Sequence, residues 1–481
     1  KLKNGSVLGS CNLNVASGAT LDISESTRYD IDNLPVIVTF ANSGSILKVK
    51  EYTKESIVVP NNKYLTLDEN GEILASETSD GVLDSGALAT IDGKSVTIYA
   101  DIMNEADPLG ITVEKGGKLI LKKTEGDSSV AEFESGALLE LKDGASFELK
   151  DSETMNLGGI EVTSGDCTIK GEGTLDMVND KEINIGSGAN LMAEKITITN
   201  AIINDDNFTA EGVTFTNTVI NVSSGNTTTL TDCDLTNCTI NVEEGGTLVA
   251  ENCTFDTEGT YNDYYINVKS GGKLEMNDST VHNKEGAAVA IRLEGEAVIE
   301  NSTFQDNVHP NNNGGAIRGI GADLTLKGCT FENNTSQFGG AIHMDGGTLN
   351  IDDDCVFTKN LATAYNGNTG TAGAIFLTNG VQATIGAAQF TGNGEHYEGI
   401  QELHTKKGGA MFIGDSTVNL IGTVFEGNLA DNPADAYETS YTDGGAICVA
   451  GSGSDLYIYG AKFFENHAGS AGGAIALNRG A

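Results

Sequence analysis

The stretch Cys329–Ile351, CTFENNTSQFGGAIHMDGGTLNI, contains three short apolar patterns, centred on Phe331, Ile342 and Leu349. Within each pattern apolar and polar residues alternate, which is typical of a strand with one buried face. Asn, Asp and Gly clusters separate the three patterns and indicate turns. The stretch therefore predicts three short strands joined by tight turns, with no helix.

The same unit recurs along the chain at spacings of 20 to 36 residues. The Ile-type strand begins at Ile220, Ile240, Ile266, Ile291, Ile317, Ile342, Ile375, Met411, Ile447 and Ile475. One such unit cannot bury its apolar face alone, so neighbouring units must stack. We therefore predict an all-β fold, a right-handed parallel β-helix with three short strands per coil.

The repeat is regular over residues 211–481 and less regular over 1–210. Phrases such as Gly116-Gly117-Lys118-Leu119 keep the turn-then-strand pattern in the first part, so one continuous solenoid is expected. Residues 28–110 hold Pro35, Pro60 and Pro108 and have drifting spacings. That segment is a candidate capping or inserted subdomain.

Composition and charge exclude several functions. The 481 residues include 61 Gly, 5 Pro and no Trp, and the formal net charge is −40, which argues against nucleic-acid binding. No apolar run approaches the roughly 18 residues that a membrane span needs, so no membrane insertion is expected for this chain. It begins at Lys1 and ends inside a repeat, and we expect a fragment of a longer protein.

Three sets of equivalent positions should form buried ladders. Small residues, four of them cysteines, precede the aromatic position by two; we expect free thiols, while a disulfide between Cys233 and Cys253 or between Cys329 and Cys355 is geometrically conceivable. The asparagine amides should bond from coil to coil and fix the register. The aromatic ladder comprises Phe304, Phe331, Phe357, Phe390 and Phe425, and the asparagine ladder comprises Asn307, Asn334, Asn360, Asn393, Asn428 and Asn466.

Two tetrapeptides alternate from about residue 286 onward. Gly-Gly-Ala-Ile occurs at 314–317, 339–342, 444–447 and 472–475, with variants at 372–375 and 408–411, between copies of Phe-x-x-Asn. This alternation resembles the repeats of the chlamydial polymorphic membrane proteins, with a pectin-lyase-like fold. The resemblance implies a bacterial cell-surface protein that acts as an adhesin.

The outward position after each Ile carries the first candidate ligand-binding residues, which are Arg292, Arg318, His343, Phe376 and Phe412. They should stand on consecutive coils above a row of alanines, and Arg beside aromatic rings suits contact with a glycan or a protein. The alternative is that the two Phe only anchor loops folded over the alanines.

Three insertions, near 361–371, 394–407 and 429–443, should extend from one corner of the coil. They carry Tyr365, Tyr397, Tyr437 and Tyr441, side chains suited to sugar stacking or protein contact. The alternative is tolerated surface decoration. His396 and His404 match no zinc spacing, and Asp352–Asp354 lacks the pattern of a calcium loop, so no metal or cofactor is predicted.

We expect an extracellular adhesin or display module, on a bacterial surface or secreted, that binds a glycan or a host protein. A passive stalk is one alternative, and a polysaccharide lyase or glycosidase is another. The carboxylates do not stack in register on neighbouring coils as such an active site would need, so we expect no enzyme. The sequence predicts no oligomeric state.

Overall fold

The computed structural model describes side chains over 139–142, 144–149, 154–155, 157–177, 181–204, 207–256, 264–282, 289–309, 313–363, 370–395, 405–431 and 442–478. Outside these ranges it describes only the backbone of strands. The chain divides into two compact units, residues 1–219 and 220–481.

Every described element of regular secondary structure in the first unit is a strand. They are Val7–Leu8, Cys11–Val15, Thr20–Asp22, Arg28–Tyr29, Val36–Phe40, Ile46–Lys48, Ile57–Val59, Leu65–Leu67, Glu72–Ala75, Gly81–Leu83, Leu88–Asp92, Ser95–Tyr99, Gly110–Glu114, Lys118–Lys122, Glu132–Glu134, Leu138–Lys142, Ser146–Leu149, Thr154–Asn156, Gly159–Ser164, Asp166–Gly171, Thr174–Ile185, Asn190–Glu194, Thr197–Glu211 and Thr214–Thr216.

Parallel in-register pairing dominates this unit, as between Leu88–Asp92 and Gly110–Glu114. Antiparallel pairs interrupt it early on. Glu72–Ala75 pairs antiparallel with both Ile46–Lys48 and Leu65–Leu67, and Gly81–Leu83 pairs antiparallel with Ile57–Val59. Stacked coils alone would give only parallel neighbours, so this segment is not a plain run of coils.

The second unit is built from three parallel strand columns, one strand of each column per coil. The Ile column contains Val219–Thr231, Thr239–Val242, Ile266–Val268, Ile291–Leu293, Ile317–Lys327, Ile342–Ile351, Ile375–Thr378, Met411–Gly414, Ile447–Ala450 and Ile475–Leu477. The Leu column contains Thr247–Glu251, Lys273–Asn277, Glu296–Glu300, the second halves of Ile317–Lys327 and Ile342–Ile351, Gln382–Ile385, Thr417–Ile421 and Asp455–Tyr459. The Phe column contains Asp234–Thr236, Thr254–Asp256, Thr280–His282, Thr303–Gln305, Thr330–Glu332, Val356–Thr358, Gln389–Thr391, Val424–Glu426 and Lys462–Phe464.

These columns confirm the predicted all-β right-handed parallel β-helix. Each inward apolar residue meets its equivalent in the next coil, as Ile317 pairs with Ile342 and Ile342 with Ile375. In-register parallel pairing of this kind satisfies the backbone groups between coils.

A fourth set of short strands begins at residue 308, which the sequence did not predict. It lies just before the Gly-Gly-Ala corner of each coil. Its strands are Val308–Asn313, Thr335–Phe338, Leu361–Ala362, Gly370–Thr371 and Thr405–Lys407, with a separate pair formed by Leu429–Ala430 and His467–Ala468. We call the five-stranded sheet formed by the first five of these strands the corner sheet.

The aromatic side chains stack inside the second unit. Successive rings from Phe304 to Phe463 lie 4.7 to 5.0 Å apart between centroids, with interplanar angles of 3° to 12°. All members from Phe304 to Phe425 are fully buried. The centroid spacing equals one strand step, so the rings stack because the strands do.

The asparagine amides form a continuous hydrogen-bonded ladder beside the rings. The Asn307 amide donates to the Asn334 side-chain oxygen at 2.7 Å, and each later amide donates to the next one at 2.8 to 3.0 Å. Each amide also donates to a backbone carbonyl of the preceding coil, as Asn360 does to Phe331. The residue before each ladder asparagine has left-handed backbone, as Asn333 (φ 56°) and Lys359 (φ 55°) do.

The cysteines of the small-residue ladder, Cys233, Cys253, Cys329 and Cys355, are buried and carry free thiols. The Cys329 backbone N–H donates to the Cys355 sulfur at 3.4 Å. The hydrogen bond to Cys355 and then burial raise the pKa of the Cys329 thiol. These sulfurs therefore act as small core groups.

Candidate functional site

The outward residues of the Ile column stand in register on consecutive coils. Arg292 pairs with Arg318, Arg318 with His343, His343 with Phe376, and Phe376 with Phe412. The structure thus brings all five predicted residues into one row, which we call the Arg–aromatic column. Cys448 follows Phe412 in the same row and is fully buried.

Aromatic stacking orders the middle of the column. The His343 and Phe376 rings are 5.0 Å apart at an angle of 9°, and the Phe376 and Phe412 rings are 4.9 Å apart at 6°. Ring faces therefore cover one another, and the half-buried phenylalanines present their edges outward. Ring edges carry the positive end of the aromatic quadrupole.

The Phe338 side chain packs beside the column, against Phe376. It is the last residue of its corner-sheet strand, and its ring lies 5.3 Å from Phe376 at 59°. The sequence interpretation missed Phe338, although an aromatic residue directly before Gly339-Gly340 was a usable signal. Thr371, Lys407 and Asp443 hold the equivalent positions in later coils. Burial raises the pKa of Cys448; the Lys407 cation opposes this rise and the Asp443 carboxylate adds to it.

The two arginines differ in what they already bind. Arg292 forms an ion pair with Glu294, and its guanidinium carbon lies 5.7 Å from the centre of the Tyr264 ring. Arg318 forms no ion pair with any described residue. The Nε atoms of both arginines are buried without a hydrogen-bond partner. Arg318 is therefore the cation of the column with unused binding capacity.

His343 is held in its neutral form. Its side chain is 5 % exposed, and burial lowers its pKa to about 4, helped by the neighbouring Arg318 cation and opposed by Asp345. Its Nδ1 is buried without a hydrogen-bond partner.

The alanine row is not the open floor that we expected. Ala316, Ala341, Ala374, Ala410 and Ala446 are all fully buried, as are the Ile or Met residues that follow. The strict alternation of buried and outward residues is broken at the corner, because the Gly residues before each alanine turn the chain there. The first is in the left-handed region, as at Gly339 (φ 66°).

The loop residues proposed as ligand contacts, Tyr365, Tyr397, Tyr437 and Tyr441, lie outside the described residues, as do His396 and His404. The flanks of their loops are described: Thr405–Lys407 and Thr371 belong to the corner sheet beside the column. After the first two insertions the chain therefore returns, at Thr371 and at Lys407, to the sheet beside the Arg–aromatic column.

Two negative findings concern the described residues alone. They contain no group of three or more His, Cys, Asp or Glu side chains arranged to hold a metal ion. No helix among them has the length and hydrophobicity to cross a membrane. Asp353, considered above for calcium, accepts a hydrogen bond from the Ala387 backbone N–H at 2.7 Å.

Comparisons with known proteins agree with this architecture. The family model described as the right-handed beta helix region matches residues 262–463. The second unit is therefore of the right-handed parallel β-helix class. No curated protein sequence is significantly similar to the chain.

Two solved structures of similar fold are carbohydrate-active enzymes. The catalytic unit of a GH87 α-1,3-glucanase from Streptomyces thermodiastaticus strain HF3-3 is 11% identical over 74% of this chain and 72% of that chain, with a TM-score of 0.39. A mutant of the PL6 family alginate lyase AlyGC is 11% identical over 99% of this chain and 97% of that chain, with a TM-score of 0.26. The expectation that this chain is not an enzyme is corrected accordingly, because the fold is shared with enzymes; the likeness concerns the fold alone.

Proposed function

We propose that this chain is an extracellular recognition module, displayed on a bacterial surface or secreted, that binds an acidic glycan through the Arg–aromatic column. The observation that carries the proposal is the position of Arg318, a cation with no ion pair among the described residues, in register with a stack of aromatic edges. The resemblance of the Gly-Gly-Ala-Ile and Phe-x-x-Asn repeats to surface adhesins supports the same reading.

Electrostatics favours an anionic ligand at this place. The chain carries a net charge of −40, so most of its surface repels anions. The column instead presents the Arg318 guanidinium followed by the edges of Phe376 and Phe412, all groups of positive potential. A guanidinium can bind a carboxylate through two parallel hydrogen bonds, which suits a uronic or sialic acid residue.

Sugar stacking on the phenylalanine faces has no support, because those faces cover one another. The rings instead give an apolar edge against which the C–H groups of a sugar can pack while its carboxylate reaches Arg318. The corner insertions, which rejoin the described chain at Thr371, Lys407 and Asp443, would complete the surface.

The first experiment is binding of the chain to an array that contains uronate-bearing, sialylated, sulfated and neutral glycans. We expect binding to carboxylated glycans that weakens with salt, because the contact is a partly exposed ion pair. Arg318→Gln should weaken it at least about tenfold, whereas Lys273→Gln, which removes a half-exposed lysine paired with Glu275, should not. Binding that is equal for all glycan classes, or unaffected by Arg318→Gln, would contradict the proposal.

A variant with 364–369, 396–404 and 432–441 replaced by short linkers tests the contribution of the insertions. If they complete the site, this variant keeps the fold and loses part of the affinity. Unchanged affinity would place recognition on the column alone.

A second candidate function, polysaccharide lyase, is favoured by the adjacency of Arg318 and neutral His343. Elimination from a uronate needs a cation on the carboxylate and a base for the adjacent proton. An assay for ultraviolet-absorbing unsaturated products from alginate and polygalacturonate tests it. Product that disappears in both Arg318→Gln and His343→Gln would favour catalysis; binding without product would favour recognition alone.

A further inference from the structure

A second unpaired cation stands beside the Arg–aromatic column, several coils after Arg318. Lys407 is the last residue of its corner-sheet strand, and its backbone is paired on both sides, with Thr371 of the coil before and with Asp443 of the coil after. Its side chain is partly exposed and forms no ion pair with any described residue. Lys407 therefore has unused binding capacity, as Arg318 does.

Two observations show that the Lys407 side chain lies toward the column. Phe338 holds the equivalent position two coils earlier, and its ring reaches Phe376 of the following coil, at 5.3 Å between centroids. In the same way the Lys407 charge acts on Cys448, the column residue of the following coil, where it opposes the rise in the pKa of the thiol. The ammonium group of Lys407 is therefore part of the surface that the column presents.

Three strand steps separate the two cations. The register runs from Arg318 through His343 and Phe376 to Phe412, which is in the same coil as Lys407. At about 4.8 Å per step, these two coils are roughly 14 Å apart. That distance is comparable with three residues of an extended polysaccharide.

The surface between the two cations carries no charge. His343 is neutral, and its ring stacks with Phe376, which stacks with Phe412, so the three rings form one continuous edge. The C–H groups of sugar rings can pack along such an edge. A fitting ligand therefore carries two anionic groups with sugar rings between them.

A carboxylate lies just beyond each cation. On one side Glu294 forms the ion pair with Arg292, one coil before Arg318. On the other side Asp443 lies one coil after Lys407; it is 4 % exposed, and its Oδ1 has no hydrogen-bond partner. Both carboxylates repel an anionic chain that extends further along the coils. The anion-binding stretch therefore runs from Arg318 to Lys407 and ends there.

We infer, on the basis of the function proposed above, that the ligand is a linear polyuronate that binds Arg318 and Lys407 together. Every residue of such a chain carries a carboxylate, so a run of about four residues supplies two carboxylates three steps apart. A glycan that ends in one sialic acid has a single carboxylate and reaches only one cation. Lys407 is thus the residue that selects a polymer over a terminal acidic sugar.

The test is calorimetric titration of the full chain with galacturonate oligomers of three, four and six residues, and with sialyllactose as the probe with one carboxylate. We expect the tetramer to bind about tenfold or more tighter than the trimer, because it reaches both cations. The hexamer should gain no more than about threefold over the tetramer, from additional registers on the same site. Sialyllactose should bind no more tightly than the trimer.

Three variants assign the step between trimer and tetramer to Lys407. Lys407→Gln should remove the step and leave the affinity for the trimer within about twofold. Lys407→Arg keeps a cation at this position and should retain the step. Lys273→Gln, which removes a lysine paired with Glu275, is the matched control and should also retain it. Urea unfolding of each variant checks that the coils are intact.

A tetramer that binds no more tightly than the trimer would overturn the inference, and this comparison on the unaltered chain depends on no variant. So would a step that persists in Lys407→Gln, or sialyllactose that binds as tightly as the tetramer. Arg318→Gln distinguishes this failure from failure of the proposed function. Oligomers that bind through Arg318 without the step contradict only the role of Lys407, whereas binding that is independent of Arg318, or no binding at all, contradicts both.

Discussion

The side-chain oxygen of Asn360 accepts two hydrogen bonds from Asn334, one from its amide at 2.9 Å and one from its backbone N–H at 3.1 Å. The Asn360 amide in turn donates to Asn393 and to the Phe331 carbonyl. One fully buried side chain thus satisfies polar groups of the coil before it and of the coil after it.

Asn360→Ala should destabilise the second unit by about 2 to 4 kcal/mol, because it leaves buried donors and acceptors unpaired. The measurement is the urea unfolding midpoint, with hydrogen exchange to localise the loss to the coils around residue 360. Asn350→Ala, at an exposed position with no internal bond, is the control and should change stability by less than about 0.5 kcal/mol. Equal effects of the two variants would contradict the role given to the ladder.

Phe331 tests the aromatic stack. Its ring lies 4.7 Å from Phe304 and 4.8 Å from Phe357. Phe331→Leu should cost about 1 to 3 kcal/mol, since it keeps most of the volume, whereas Phe331→Asp should unfold several coils because it places an unpaired charge in the core. Circular dichroism and urea unfolding distinguish the two variants. A Phe331→Asp variant with the same unfolding midpoint as Phe331→Leu would show that the position is open to water.

The thiols should be inert in the folded chain. Burial raises the pKa of Cys448 to about 12, and the bond to Cys233 followed by burial raises that of Cys253. Because the thiolate is the reactive form, a thiol reagent at neutral pH should label these cysteines only after denaturant is added. Labelling of Cys448 without denaturant would mean that its side chain becomes exposed in solution.

His343 should make stability depend on pH. Its pKa is about 4 in the folded chain against 6.5 ordinarily, so the unfolded chain binds more protons between these values. Its contribution is complete above about pH 6.5 and is lost as the pH falls toward 4, by up to about 3 kcal/mol. His343→Phe, which keeps a stacked ring, should reduce the loss of stability between about pH 7 and pH 4 by that amount. An unchanged pH dependence in urea unfolding would contradict the burial of the imidazole.

The fold could be predicted from the sequence because the same pattern of three short strands and turns repeats many times. Equivalent residues such as Ile317, Ile342 and Ile375 stack on one another, so spacing in the sequence is also position in space. The corner sheet and the burial of Ala341 could not be predicted this way, since they depend on the direction of the chain at the glycine corner.

The candidate column was predicted as a row, but its chemistry was not. The alternation of inward and outward residues along the strand predicted that Arg318 and Phe376 point outward. It could not predict that Arg292 is paired with Glu294 while Arg318 is not. It also could not predict that the stacked rings cover one another's faces.

Binding of an acidic glycan through Arg318 is tested most directly by the affinity of the chain for an alginate or polygalacturonate hexamer. The affinity is measured by calorimetry for the unaltered protein, Arg318→Gln and Lys273→Gln. We expect saturable binding that Arg318→Gln weakens at least about tenfold and that Lys273→Gln changes by no more than about twofold. Equal affinities for all three proteins, or no binding of either acidic hexamer to the unaltered chain, would contradict it.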